Sequence, residues 1–371
     1  MWSTKILSLT GVSILFLIAP VLASSRLGTQ CTQLQIPVAI NAINYNITQP
    51  RVDSTVDWEG WIWDTTSWSY PNLTERIVGN IPVSKTFSIG GQLCVPVRGS
   101  KAGILQIATH GVGFDRRVLH PDVRPSGTGT SDKADAYTEV QLPAETEILL
   151  ALTKQARAGQ LMLYTADKRN KHHRAYTASK VVHEGHSFGS FITFDFVAKY
   201  GNLSDGAVVT GALINEHLGD GGPQIFGFQY AAERHHRKFA DRPSGYVAQG
   251  DKGDVQRIFL NKRTFEPRLL QYAFDTGETT TGVELLGGAV ALGQQAMKFI
   301  GPVQFFIGEF DYVLCGGDCK GYTLAAQQAL FPAASDVSVY LQPKTGHGLS
   351  LSTNATAGYQ VMFEYLGSHG L

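Results

Sequence analysis

Net charge is the first thing this sequence lacks. Its 31 Lys and Arg residues balance 31 Asp and Glu residues, and only 17% of the chain is charged. The two signs are mixed along the chain, so no basic surface for nucleic acid is expected. Cysteine is scarce, and none of the four residues falls in a C-x-x-C pair. Zinc is a rival reading only at Cys315-Gly316-Gly317-Asp318-Cys319, where the spacing is unusual and no second ligand pair lies nearby. The loop Gly127-Thr128-Gly129-Thr130-Ser131-Asp132 has no G-K-[ST] after it, so it is not a phosphate loop. The basic stretch from Asp167 to Arg174 carries His172 and His173 without further ligands and reads as a solvated loop. No cluster calls for a metal or an organic cofactor.

Long apolar runs are also rare. The run from Ile6 to Leu22 follows Lys5 and precedes Ala23, a small residue suited to cleavage. Residues 1–23 therefore read as a secretory signal peptide. An uncleaved anchor is the alternative, but Gly11, Ser13 and Pro20 make a poor spanning helix. After cleavage no membrane contact is expected. Two further features agree with secretion. N-x-[ST] sequons stand at Asn46, Asn72, Asn202 and Asn354. The even cysteine count also suits disulfides. Three pairings are open, and the preferred one joins Cys31 to Cys94 and Cys315 to Cys319.

What is present is an ordinary globular composition, 43% hydrophobic, with 40 glycines for many tight turns. Residues 24–100 read as a β portion. Apolar alternation runs from Leu34 to Ile47, and a second strand runs from Lys85 to Val97 with Gly90-Gly91 at a turn or bulge. Trp58, Trp61, Trp63 and Trp68 lie between the two. Packing against the sheet is preferred for them over sugar binding or a lid contact. Buried strands are expected at 103–108, 208–214, 302–307 and 337–341, and helices at 144–156 and 355–366. Residues 218–298 break the strand–helix rhythm and carry aromatic clusters, which suits a cap over a pocket. His235 and His236 read as surface residues of a cap helix.

The chemistry sits at the ends of the apolar runs. Val181-Val182 leads into Gly185-His186-Ser187-Phe188-Gly189, a G-x-S-x-G pattern, and a helix-like run follows. Small residues on both sides let a sharp turn close and expose the serine hydroxyl, and the next helix offers its N-terminal amides to an oxyanion. Upstream, a buried strand ends at His110-Gly111-Val112-Gly113-Phe114, where glycines let backbone amides face a substrate oxygen. A serine needs a base, and the base needs an acid to fix its tautomer. Of 11 histidines, His347 lies in a glycine-flanked loop just after a strand, and Asp311 lies at an earlier strand end. Asp318 is the competing acid, placed inside the small cysteine loop.

Taken together, these motifs resemble the α/β-hydrolase superfamily. They are similar to secreted fungal members that read H-G-x-G-F, G-H-S-F-G-S, G-x-x-D and T-G-H. The matches are at His110 to Phe114, Gly185 to Ser190, Gly308 to Asp311, and Thr345 to His347, within residues 80–371. The resemblance implies an α/β fold with a mostly parallel central sheet flanked by helices. It implies Ser187 as nucleophile, His347 as base and then acid, and Asp311 as its orienter. The amides of Val112 and Phe188 would form the oxyanion hole. The expected activity is hydrolysis of a small-molecule carboxylic ester or lactone, with peptides an open alternative.

The chain departs from the family pattern in one place. Only about a dozen residues separate Phe114 from Gly127, where family members carry a helix and a further strand. A parallel crossover alone takes about a dozen residues or more. One helix–strand unit is therefore expected to be missing after residue 114. That departure motivates a second reading, a catalytically inactive member that binds a small apolar ligand under the cap.

Overall fold

The structure is a computed structural model. It describes residues 29–67, 73–96, 103–115, 128–165, 177–215, 217, 221–261 and 265–371. The expected signal peptide, Asn72, Trp68, the 167–174 loop with His172 and His173, and residues 116–127 lie outside the described residues.

The chain opens with a long antiparallel ribbon, β1 (Thr29–Ile47) paired with β2 (Ile77–Pro96). Between them come α1 (Thr55–Thr66) and α2 (Leu73–Arg76). Leu34, Ile36, Val38, Ile40 and Ala42 are buried, while Pro37, Ala39 and Asn41 between them are exposed. That period of two is what a ribbon with one wet face requires. Cys31 and Cys94 lie opposite each other in the ladder and are disulfide-bonded. Gly90-Gly91 forms no bulge, because the pairing register runs unbroken past it. A Cβ at Gly90 would meet Thr130 Oγ1 at 2.2 Å, so this glycine makes room for the 128–132 loop. Trp58 and Trp61 are buried and stack at 4.6 Å, and Trp58 meets Phe228 edge-on. They thus pack towards a later segment, and Trp63 is exposed.

A five-stranded parallel sheet follows. Its strands, in chain order, are β3 (Ile104–Thr109), β4 (Lys180–His186), β5 (Gly206–Thr210), then β9 (Pro302–Gly308) and β10 (Asp336–Gln342), after three short strands given below. Their spatial order is β10-β9-β5-β4-β3, every pair parallel. Parallel strands need covered faces. Helices α3 (Leu142–Arg157) and α4 (Phe188–Tyr200) join β3 to β4 and β4 to β5, and bury Leu149, Phe194 and Phe196 in the core on one face. On the other face α11 (Ala355–Ser368) sets Met362 and Leu366 against Val182, Val208 and Phe306. The strand expected at 208–214 ends at Thr210, where Gly211 turns the chain with φ +58°.

Among the described residues β3 is the edge of this sheet, and the β1–β2 ribbon forms a separate sheet. Among the described residues no strand bridges the two. The ribbon is held instead by packing, with Val38, Phe87 and Ile89 against Ala144, Ile148 and Leu152 of α3. Residues 116–127, where a helix–strand unit is expected to be missing, lie outside the described residues.

Between β5 and β9 lie β6 (Phe228–Tyr230), α5 (Ala231–Arg234), β7 (Tyr246–Gln249), α6 (Lys252–Phe259), α7 (Pro267–Thr276), β8 (Thr280–Thr281) and α8 (Gly282–Ala291). The three strands form a small antiparallel sheet, which the broken strand–helix rhythm of residues 218–298 did not indicate. His235 and His236 are exposed, but they follow the short α5 and are not within it. After β9 come α9 (Tyr312–Cys315) and α10 (Leu324–Leu330). No helix among the described residues is long and apolar enough to cross a membrane.

Candidate active site

Ser187 stands on the turn between β4 and α4, with φ 54° and ψ −118°. Among the described residues only Ser187 and Lys344 have positive φ without being glycine. Such a conformation costs about 1–3 kcal/mol and persists only where neighbours enforce it. The two motif glycines let them do so. A Cβ at Gly185 would lie 2.3 Å from Gly189 O, and one at Gly189 would lie 2.3 Å from Thr109 O. The elbow is thus clamped between its own first helical turn and the end of β3. Ser187 N donates to Thr210 O at 2.8 Å, and Ser190 Oγ donates to the same carbonyl at 2.8 Å.

The His110-Gly111-Val112-Gly113 turn reaches the serine directly. A Cβ at Gly111 would sit 2.7 Å from Ser187 Cβ and 3.3 Å from its Oγ. His110 is buried, and its Nδ1 donates to Gly111 O at 2.8 Å. That bond fixes the proton on Nδ1 and leaves Nε2 to accept from Thr128 Oγ1 at 3.3 Å. Val112 and Phe188 are each 3% exposed. Phe188 is the first residue of α4, where main-chain N–H groups point outward from the helix start. Gly113 O accepts from Glu278 N at 2.7 Å, which ties the turn to the start of β8.

Asp311 and His347 meet at the ends of β9 and β10. His347 Nδ1 donates to Asp311 Oδ2 at 2.6 Å, and both side chains are fully buried. Asp311 Oδ1 accepts from Val313 N at 2.9 Å and Leu314 N at 3.0 Å. Three donors on one carboxylate hold it in place. Asp318 is exposed and accepts from Lys320 N, so it is not the partner of His347. The acid turn is closed by the Cys315–Cys319 disulfide, with Gly317 N donating to Asp311 O and Cys319 N to Glu309 O. The histidine loop is tied to it by Phe310 N donating to Thr345 O.

With Nδ1 occupied, His347 presents Nε2 as an acceptor. This atom is buried and has no hydrogen-bond partner among the described residues. A bond from Ser187 Oγ is therefore not formed in this structure. Such bonds are often long before substrate binds. The ring is held by aromatic contacts instead, 5.0 Å from His186 and 5.7 Å from Phe259. His186 in turn bonds Thr210 Oγ1 through Nδ1 at 2.8 Å. A cavity of about 360 Å³ opens beside the disulfide loop, lined by Ile214, Asn215, Tyr322 and Thr323. It borders the acid turn, and neither Ser187 nor His347 lines it.

Three further residues at this site escaped the motif reading. Thr128 and Thr210 bond the two histidines that flank the turn and the elbow. Gln249, from β7, lies against Gly113. Among the described residues no group of three or more His, Cys, Asp or Glu is placed to hold a metal ion.

The all-parallel sheet covered by helices, the serine elbow after β4, the aspartate after β9 and the histidine after β10 are the arrangement of the α/β-hydrolase fold. No protein-family model and no curated protein sequence matches the chain. Among solved structures it is similar to an esterase from Thermogutta terrifontis, at 14% identity and TM-score 0.46, over 87% of this chain and 99% of that one. It is also similar to an α/β hydrolase from Penicillium sp. sh18, at 13% identity and TM-score 0.47, over 76% and 94%. A monoacylglycerol lipase from Paleococcus ferrophilus shares 13% identity at TM-score 0.45, over 71% and 94%.

Proposed function

We propose that this chain is a secreted serine hydrolase that cleaves a carboxylic ester or lactone through an acyl-enzyme at Ser187. The observation that carries the reading is the buried Asp311–His347 bond of 2.6 Å, with Nε2 left as an acceptor. His347 Nε2 takes the Ser187 proton as Oγ attacks the carbonyl carbon. The amides of Val112 and Phe188 hold the resulting oxyanion. His347 then gives its proton to the departing alkoxide oxygen, which leaves the acyl-serine. Water, deprotonated by the same nitrogen, releases the acid and returns the proton to Ser187. In a lactone the leaving oxygen belongs to the same molecule, and the product is a hydroxy acid.

Residues 1–23 are the proposed signal peptide, and 24–371 the hydrolase domain, with about 218–298 as its cap. The two disulfides are compatible with an oxidising compartment. A catalytically inactive, ligand-binding protein is the second reading. The open Ser187–His347 bond and the lack, among the described residues, of a strand between ribbon and sheet favour it. One experiment separates the two. The protein and a Ser187→Ala control are treated with a fluorophosphonate probe. Covalent labelling that vanishes in the control is expected. Absence of labelling in a folded sample would reject the hydrolase reading.

A further inference from the structure

Gln249 ends β7, the middle strand of the small antiparallel sheet. Its main chain is committed, with its carbonyl accepting from Arg234 Nε at 2.8 Å and its pairing to Phe228. Its side chain is not. The residue is 3% exposed, and Nε2 is buried without a hydrogen-bond partner. A buried donor left unpaired is destabilising. Leucine or methionine would fill the same space without that cost.

The location explains why an amide is kept. A Cβ at Gly113 would lie 3.1 Å from Gln249 Oε1 and 3.6 Å from Nε2, so the amide abuts the turn after Val112. Gly113 is two residues from Gly111, which touches Ser187. Two residues of chain span at most about 7 Å. The amide does not brace the turn by hydrogen bonding, because Nε2 donates to nothing there. Gly113 O is already served by Glu278 N. The nearby cations are also spoken for: Lys238 and Arg242 both pair with Glu278, at 3.5 and 3.6 Å. What the position offers is one neutral donor.

We infer that Gln249 is a specificity-determining residue whose Nε2–H donates to a second, neutral oxygen of the substrate. The inference rests on the serine-hydrolase reading above. The substrate class is an ester or lactone with a hydroxyl or carbonyl oxygen a few bonds from the scissile carbonyl. A plain acyl ester leaves the donor unpaired, and a site built to pair a polar group rejects the analogue lacking it.

The test uses the full chain and Gln249→Met, which keeps the volume and removes the donor. Both are first labelled with the fluorophosphonate. Ethyl butyrate, ethyl 3-hydroxybutyrate and 2-hydroxyethyl butyrate then compete for labelling, so protection is read at any turnover rate. Wild type is expected to be protected by a hydroxylated ester at a concentration at least tenfold below that for ethyl butyrate. Gln249→Met is expected to lose that tenfold preference, equivalent to about 1.4 kcal/mol. Its Tm is expected at or above that of wild type. The same protection ratios in both proteins, including no protection by any ester, would overturn the inference while the hydrolase reading stands. A lower Tm for Gln249→Met together with unchanged ratios would assign the amide a structural role and also overturn it. If wild type does not label, the hydrolase reading fails and takes the inference with it.

Discussion

Asp311 leaves His347 little freedom. Two main-chain amides grip one carboxylate oxygen, and the imidazole donates to the other. Asp311→Asn keeps the shape but allows the ring to present the wrong tautomer. On the proposed mechanism it lowers kcat by about 10⁴, with the fold intact by circular dichroism. A loss under tenfold in ester turnover would remove Asp311 from the site. A second histidine shows the opposite use of burial. His183 lies between Thr153 Oγ1 and Ser204 Oγ, at 2.9 and 2.8 Å. Burial, aided by the Arg157 charge, pushes its pKa down from 6.5 to about 3. The unfolded chain therefore binds a proton there that the folded chain refuses. The stabilisation is full above pH 6.5 and is lost as pH falls towards 3. Stability measured by urea melts is expected to drop by up to about 1.4 kcal/mol per pH unit in that window from this group. His183→Gln should flatten that part of the profile. An unchanged slope would mean that His183 is already protonated in the fold.

At the scale of elements, the elbow depends on contact between backbones. Gly189→Ala would push a methyl into Thr109 O, which belongs to β3 and cannot swing aside. Overpacking of this kind costs about 1–3 kcal/mol or more. The expected result is a lower Tm and loss of fluorophosphonate labelling. Retained labelling at full rate would show that β3 gives way. This site was legible in the sequence because its signals are short-range. Gly185, Ser187 and Gly189 encode one turn, and Asp311 and His347 each end an apolar run. Gln249, Thr128 and Thr210 were not legible, since their partners are more than a turn of chain away and nothing local marks them. Gly90 shows the same limit. Its neighbours in sequence suggested a bulge, while the reason for it is Thr130, brought close by tertiary folding.

The whole molecule sets which asparagines a glycosylating enzyme can reach. Asn46 and Asn202 are exposed. Asn354 precedes α11 without capping it through its side chain, which instead donates through Nδ2 to Pro343 O at 2.7 Å and accepts from Thr345 Oγ1 at 2.9 Å, bracing the His347 loop. Mass spectrometry of the secreted protein is expected to find glycan on Asn46 and Asn202 and none on Asn354. A glycan at Asn354 would show that this brace forms only after modification, or not at all. The sheet order was also readable only in part. The apolar runs located the parallel strands. Nothing in the run of residues said that β1 and β2 would pair over their whole length apart from the main sheet.

That detached ribbon has a consequence for how its amides meet solvent. Each strand has one partner, so alternate N–H groups point into the ladder and the others point outward. Deuterium uptake along β1 and β2 should therefore alternate, with a fast set exchanging through small local openings and a slow set waiting for the two strands to part, except at Tyr45, Ser88 and Gly90, whose N–H groups donate to Gln141 Oε1, Asp132 Oδ2 and Ser131 Oγ. The five-stranded sheet should show no such alternation in β5 and β9, which are paired on both sides.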